Sequence, residues 1–83
     1  MKVTDFLTAF DWDNFGKNFS DPPKHIRISW WDKGLHIEVG IKAIRNKRDL
    51  KYIFSDEVLE AEIATIDTIF NIITLNIGEG EKL

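Results

Sequence analysis

Cysteine is absent from the 83-residue chain, which rules out a disulfide framework and thiolate metal sites and suits a reducing compartment. Proline occurs only twice, side by side in Asp21-Pro22-Pro23. Neither ring nitrogen can donate a backbone hydrogen bond, and each proline disfavours helix in the residue before it, so the triplet is a firm break. No apolar run approaches the ~20 residues of a membrane-spanning helix. The opening MKVTDFLTAFDWD places acids where a secretion signal needs an uninterrupted apolar stretch. A soluble, cytoplasmic chain with no membrane partner is the expectation. Neither a G-x-S-x-G nor a phosphate-binding P-loop pattern appears. Histidine occurs only at positions 25 and 36, near opposite ends of a hairpin that advances ~3.3 Å per residue, too far apart to share a metal ion. No enzyme activity, cofactor or metal is expected.

What is present is an ordinary globular composition, 43% hydrophobic and 30% charged. A chain of this length buries little more than ~60% of the surface it exposes when unfolded, so it forms one domain of modest stability. That domain is expected to span residues 1–78, with residues 79–83 a flexible acidic tail. The net charge of −3 conceals a division. Residues 1–23 and 52–83 are acidic, whereas residues 24–51 carry eight Lys or Arg against three acids. A basic middle between acidic ends is more informative than the total.

Thr4-Asp5 reads as a helix start, and Phe6, Leu7 and Phe10 follow on one face. Gly16 suits the end of that helix. The runs HIRISWW and LHIEVGIKAIR both alternate apolar with polar residues, the mark of half-buried antiparallel strands. A two-residue loop at Lys33-Gly34 pairs Trp30 with Ile37, Ile28 with Val39 and Ile26 with Ile41 on one face. A second tight turn at Asn46-Lys47 pairs Ala43 with Leu50, Ile41 with Tyr52 and Val39 with Phe54. These registers give a three-stranded meander over 25–31, 35–45 and 49–54. Ser55-Asp56-Glu57 supplies an N-cap and first-turn acids. Leu59, Ile63, Ile66, Phe70, Ile73 and Ile77 then recur at spacings of four and three, which predicts one long helix ended by Gly78. The expected fold is α+β, a two-layer αβββα domain: a three-stranded antiparallel meander with two helices on one face.

Asp11-Trp12-Asp13-Asn14-Phe15-Gly16 has the opening spacing of an EF-hand calcium loop, yet Phe15 stands where an oxygen ligand is needed and Pro22 where the loop requires glutamate. Helix-end chemistry explains these acids better. Adjacent side chains on a strand point to opposite faces, so Trp30 and Trp31 cannot share a core. Trp30 falls on the inner face with Ile28 and Ile37. Trp31 falls outside with His25, Arg27, Ser29, His36, Glu38, Lys42, Ile44, Lys51 and Ile53. His25–Lys42–Lys51, Arg27–Gly40–Ile53 and Trp31–His36 are the expected cross-strand neighbours, giving an open face, basic at one end and aromatic at the other. Trp, His and Arg together favour a contact surface.

The αβββα order resembles that of the double-stranded-RNA-binding domain, a family that grips phosphates with a basic stretch at the start of its second helix. Here that stretch is SDEVLEAE, which repels phosphate. In size, acidity and architecture the chain is similar to small inhibitor proteins from phages and mobile elements, of the anti-CRISPR, anti-restriction and immunity kinds. By that reading Glu57, Glu60, Asp67, Asp11 and Asp13 present negative charge to a basic partner such as a nuclease. The alternative is single-stranded nucleic-acid binding through Trp31, Arg27, His25, His36, Lys42 and Lys51. A homodimer that stacks two open sheet faces is a third arrangement.

Overall fold

The computed structural model describes residues 1–9, 23–45 and 50–78. Their order is α1 (Val3–Ala9), β1 (His25–Trp30), β2 (Leu35–Gly40), α2 (Ile41–Arg45), α3 (Asp56–Leu59), β3 (Ile63–Ile69) and β4 (Ile72–Ile77), with 3-10 turns at Trp31–Lys33 and Leu50–Tyr52. The protein is α+β, but its sheet has four strands in the order β2-β1-β4-β3. β1 pairs antiparallel with β2 and parallel with β4, and β3 pairs antiparallel with β4. A mixed sheet thus replaces the expected three-stranded meander.

The first hairpin keeps the inner face foreseen from alternation and changes the loop. Trp30 pairs with Leu35, Ile28 with Ile37 and Ile26 with Val39, a shift of two residues from the expected register. A shift of two preserves the face of every side chain, whereas a shift of one inverts it. The loop is longer because Trp31–Lys33 wind into a 3-10 turn that Gly34 ends at φ 62, donating its N–H to the Trp31 carbonyl oxygen at 3.2 Å. Glycine adopts that left-handed conformation at no steric cost.

Across residues 50–54 the expected third strand does not form. Ile41–Arg45 is helical and Leu50–Tyr52 is a 3-10 turn, so the expected pairings of Ala43, Ile41 and Val39 with Leu50, Tyr52 and Phe54 are absent. Topology explains the change. β2 and β3 lie at opposite edges and point the same way, so residues 41–62 must cross the sheet between them, and such a connection is built from helices or turns. The crossing runs over the inner face, where Ile41, Ile44, Phe54, Val58, Leu59 and Ala61 join one core with Ile26, Ile28, Ile73, Leu75 and Ile77. Val3 and Leu7 of α1 complete it.

Ser55 caps its helix as expected: its Oγ accepts the Val58 N–H at 3.3 Å. The helix then ends at Leu59 instead of running to Ile77. Ser55→Ala is expected to lower stability by about 1 kcal/mol, measured by denaturant unfolding. Residues 63–77 form a hairpin turned at Phe70-Asn71, with Phe70 at φ 54. Nine of those fifteen residues are isoleucine or threonine, whose branched Cβ atoms suit a pleated surface better than a helix. The helical spacing of their apolar positions was a coincidence of two strands joined by a turn.

The inner layer does not reach the far edge. β1 and β4 bury Ile26, Ile28, Ile73, Leu75 and Ile77, whereas Ile66 and Thr68 on the inner side of β3 are exposed. The N-terminal segment borders the start of that strand: Val3 N–H donates to the Ala61 carbonyl at 3.0 Å, and Ile63 N–H to the Met1 carbonyl at 2.8 Å.

Candidate functional site

The outer face of the sheet is built by alternation. Strand pairing sets His36, Ser29, Asn76 and Thr65 in one row, Glu38, Arg27, Thr74 and Asp67 in the next, and Gly40, His25, Ile72 and Ile69 in the third. The buried apolar residues of α1, α2 and α3 all belong to the inner core. Trp31, from the 3-10 turn after β1, lies against His36 at one corner of this outer face.

The first of these rows carries a polar network that reaches into the second. Ser29 and Asn76 are buried although they lie on the outer side. Asn76 donates both amide hydrogens across to β3, to Thr65 Oγ1 at 3.0 Å and Asp67 Oδ2 at 2.8 Å. A buried amide without partners is costly, so this bridge ties the two strands in register. No buried side-chain nitrogen or oxygen among the described residues lacks a partner.

Arg27 is the only Lys or Arg among the strand residues of this face, and it is occupied. Its Nε and Nη2 both donate to Glu38 Oε1, at 3.2 and 2.9 Å. Both side chains are roughly half exposed, so the pair contributes ~0–1 kcal/mol to stability. Its larger consequence is to neutralise the guanidinium that the strands present on this face.

The aromatic corner forms as expected in substance, though from a turn instead of a strand. Trp31 sits in the 3-10 turn, 47% exposed, edge-on to His36 with ring centroids 5.3 Å apart at 79°. Trp30 faces the other way and packs against the core, with Lys33 Nζ 4.7 Å from its ring centroid. The two adjacent tryptophans therefore divide between core and surface.

Other expected site residues are elsewhere. Lys42 lies on α2, exposed, and Ile44 is buried in the core. Lys51 belongs to the 3-10 turn at Leu50–Tyr52, 4.0 Å from Asp56, and Ile53 packs against the core. His25 pairs with Gly40 instead of Lys42, and Arg27 with Glu38 instead of Gly40. These residues leave the face because the strand expected to carry them is a crossing segment. Among the described residues, Lys42 and Lys51 do not join His25 in a basic end of the face.

The expected acidic face is dispersed as well. Asp67 lies on the outer sheet face, not beside Glu57 and Glu60. Glu57 is ion-paired with Lys33, Glu60 lies 3.5 Å from Lys2 Nζ, and Glu62 lies 2.9 Å from the N-terminal amine. Glu60 and Lys51, assigned to different surfaces from the sequence, line one shallow hollow with Thr4, Asp56 and Leu59. Asp11 and Asp13, with the calcium-loop spacing they open, fall outside the described residues, as does the tail at 79–83. Among the described residues, no three His, Cys, Asp or Glu side chains converge to hold a metal. No helix among them is long and apolar enough to cross a membrane.

Ile72, Thr74, Asn76, Thr65 and Ile69 belong to this surface and were assigned from sequence to a helix. The alternation in IITLNI and the density of β-branched residues were the signals available for them. In comparisons with family models, curated proteins and solved structures, the chain has no match.

Proposed function

We propose that the protein is a non-catalytic protein-binding module, of the small acidic inhibitor kind, and that it meets its partner through the outer sheet face. The observation that carries this reading is Trp31, half exposed and held edge-on to His36 at the corner of the outer sheet face. A large aromatic side chain with a fixed orientation makes a strong anchor, because little conformational freedom remains to be lost on binding. Beside it, the Arg27–Glu38 pair and the Asn76 network offer polar groups for a rim. The net charge of −3 favours a basic partner, a nuclease among them, by accelerating encounter.

Nucleic acid is the less favoured ligand. With Arg27 neutralised by Glu38, Asp67 on the same face, and Lys42 and Lys51 elsewhere, the described residues of this surface offer little of the phosphate neutralisation that single-strand binding rests on.

Two measurements test the proposal. Titration with single-stranded DNA and RNA oligonucleotides at low salt should leave tryptophan fluorescence without a saturating change. Capture from cells that produce the protein should retain a defined partner with wild type and with Glu57→Lys/Glu60→Lys. Trp31→Ala should lose that partner at least about tenfold, equivalent to ~1.4 kcal/mol, while remaining folded. Salt-sensitive saturation by an oligonucleotide, or a partner held equally by Trp31→Ala, would contradict the proposal.

A further inference from the structure

Among the described residues, β3 is an edge strand without the usual protection. Residues 64–69 are all exposed, and the strand contains no Lys, Arg or Pro. Natural sheets ordinarily blunt such edges with Lys, Pro, bulges or a covering segment. Here the irregularity in pairing lies between Ile63 and Thr65, at the start of the strand, and Met1–Lys2 borders only residues 61–63. The only charge, Asp67, points to the outer face and accepts a hydrogen bond from Asn76. Of the six large hydrophobic side chains exposed among the described residues, Met1, Ile66, Ile69 and Phe70 belong to this edge or the segment beside it.

The turn geometry fixes which backbone groups face outward. In a hairpin closed by two residues, the flanking pair exchanges hydrogen bonds. Ile69 and Ile72 are that pair, so Ile69, Asp67 and Thr65 direct their N–H and C=O toward β4. Thr68 and Ile66 direct theirs away from the sheet.

We propose that this edge binds a second copy of the chain, β3 against β3 antiparallel, about a two-fold axis through Ile66. That register sets Ile66 against the second copy's Ile66 on the inner side and Thr68 against its Ala64. On the outer side it sets Asp67 against the second copy's Thr65, a hydroxyl donor opposite a carboxylate. Centring the axis one residue later would oppose the two Asp67 carboxylates, and like charges directly across a strand pair are destabilising. The strand is therefore complementary to itself in one register, which is what a two-fold interface demands. Pairing stops near Ala64 because Met1–Lys2 takes the edge beyond it, and there Ile69 and Phe70 of each copy meet Met1 of the other. The product is one eight-stranded sheet whose two outer faces become continuous, distinct from a dimer that stacks those faces.

Sedimentation equilibrium over rising concentration tests this. Wild type should pass from monomer to dimer, and Ile66→Lys should raise the dimer dissociation constant at least about tenfold, since it places two ammonium groups at the axis. Thr68→Pro, which removes an outward N–H that an edge strand can spare, should do the same. In the cysteine-free chain, Ile66→Cys should form a disulfide-linked dimer on mild oxidation, because facing Cα atoms lie ~5.5 Å apart in a hydrogen-bonded pair. Phe70→Cys, more exposed but ~25 Å from its copy in this register, should not. A wild type that stays monomeric up to about 1 mM, or Phe70→Cys cross-linking as fast as Ile66→Cys, would overturn the proposal.

Discussion

Leu75→Ala is expected to destabilise the protein by about 3–5 kcal/mol, while Phe70→Ala changes stability by less than about 0.5 kcal/mol. The contrast follows from the hairpin. Leu75 is fully buried, facing the core from β4 between Ile28 and Ile66, whereas Phe70 sits in the turn, 92% exposed. A single helix over the same residues reverses the order, because Phe70 lies on its apolar stripe and Leu75 does not. Small domains have only ~5–15 kcal/mol of stability in total, so Leu75→Ala is close to the limit the fold tolerates. Denaturant unfolding of the two variants reads both values, and an unchanged slope with denaturant shows that the same surface is exposed each time.

Gly78→Ala is the second effect, expected at about 1–2 kcal/mol from backbone strain, with a smaller cost for displacing the Asp32 carboxylate. Gly78 ends β4 at φ +82, where a residue with a Cβ is strained by ~1–2 kcal/mol. A Cβ there would also lie 2.5 Å from Asp32 Oδ2 and 3.0 Å from its Cγ. The atoms it would meet belong to the end of the exposed Asp32 side chain, which can turn aside, so backbone strain is the larger part of the cost. Shortening the neighbour separates the two causes. In an Asp32→Ala background the contact disappears and only the backbone strain should remain, so the cost of Gly78→Ala should fall to about 1–2 kcal/mol. Equal costs in both backgrounds would show that strain alone is responsible. Gly34, also at positive φ, has nothing within 4 Å of its notional Cβ and carries no such steric component.

How much of this was legible beforehand depends on the range of the interactions involved. The β1–β2 hairpin is local and alternates cleanly, so its inner face was readable even though its loop was not: parity survives a shift of two. Trp30 inside and Trp31 outside followed from the same parity. The Ser55 cap is likewise encoded within three residues. The parallel pairing of β1 with β4 joins segments more than forty residues apart, and no local pattern reports it. In 63–77 two periodicities coexist, and helical spacing outweighed the β-branched composition that favoured strands. That error moved Asp67 off the sheet face and concealed the Asn76 network. With 63–77 taken as helix, the pattern offers a strand at 49–54 in place of the crossing segment that carries Lys42 and Lys51.

The outer face exists as described only if β4 runs beside β1, and this is the point to measure first. In isotope-labelled protein, nuclear Overhauser effects should connect the backbone of Ile28 to that of Leu75, and Ile66 to Leu75 across the hairpin, with the Trp31 and His36 rings in contact. Unbroken sequential amide contacts from Leu59 to Ile77, with none between Ile28 and Leu75, would restore the long helix and remove the surface on which the proposed function rests.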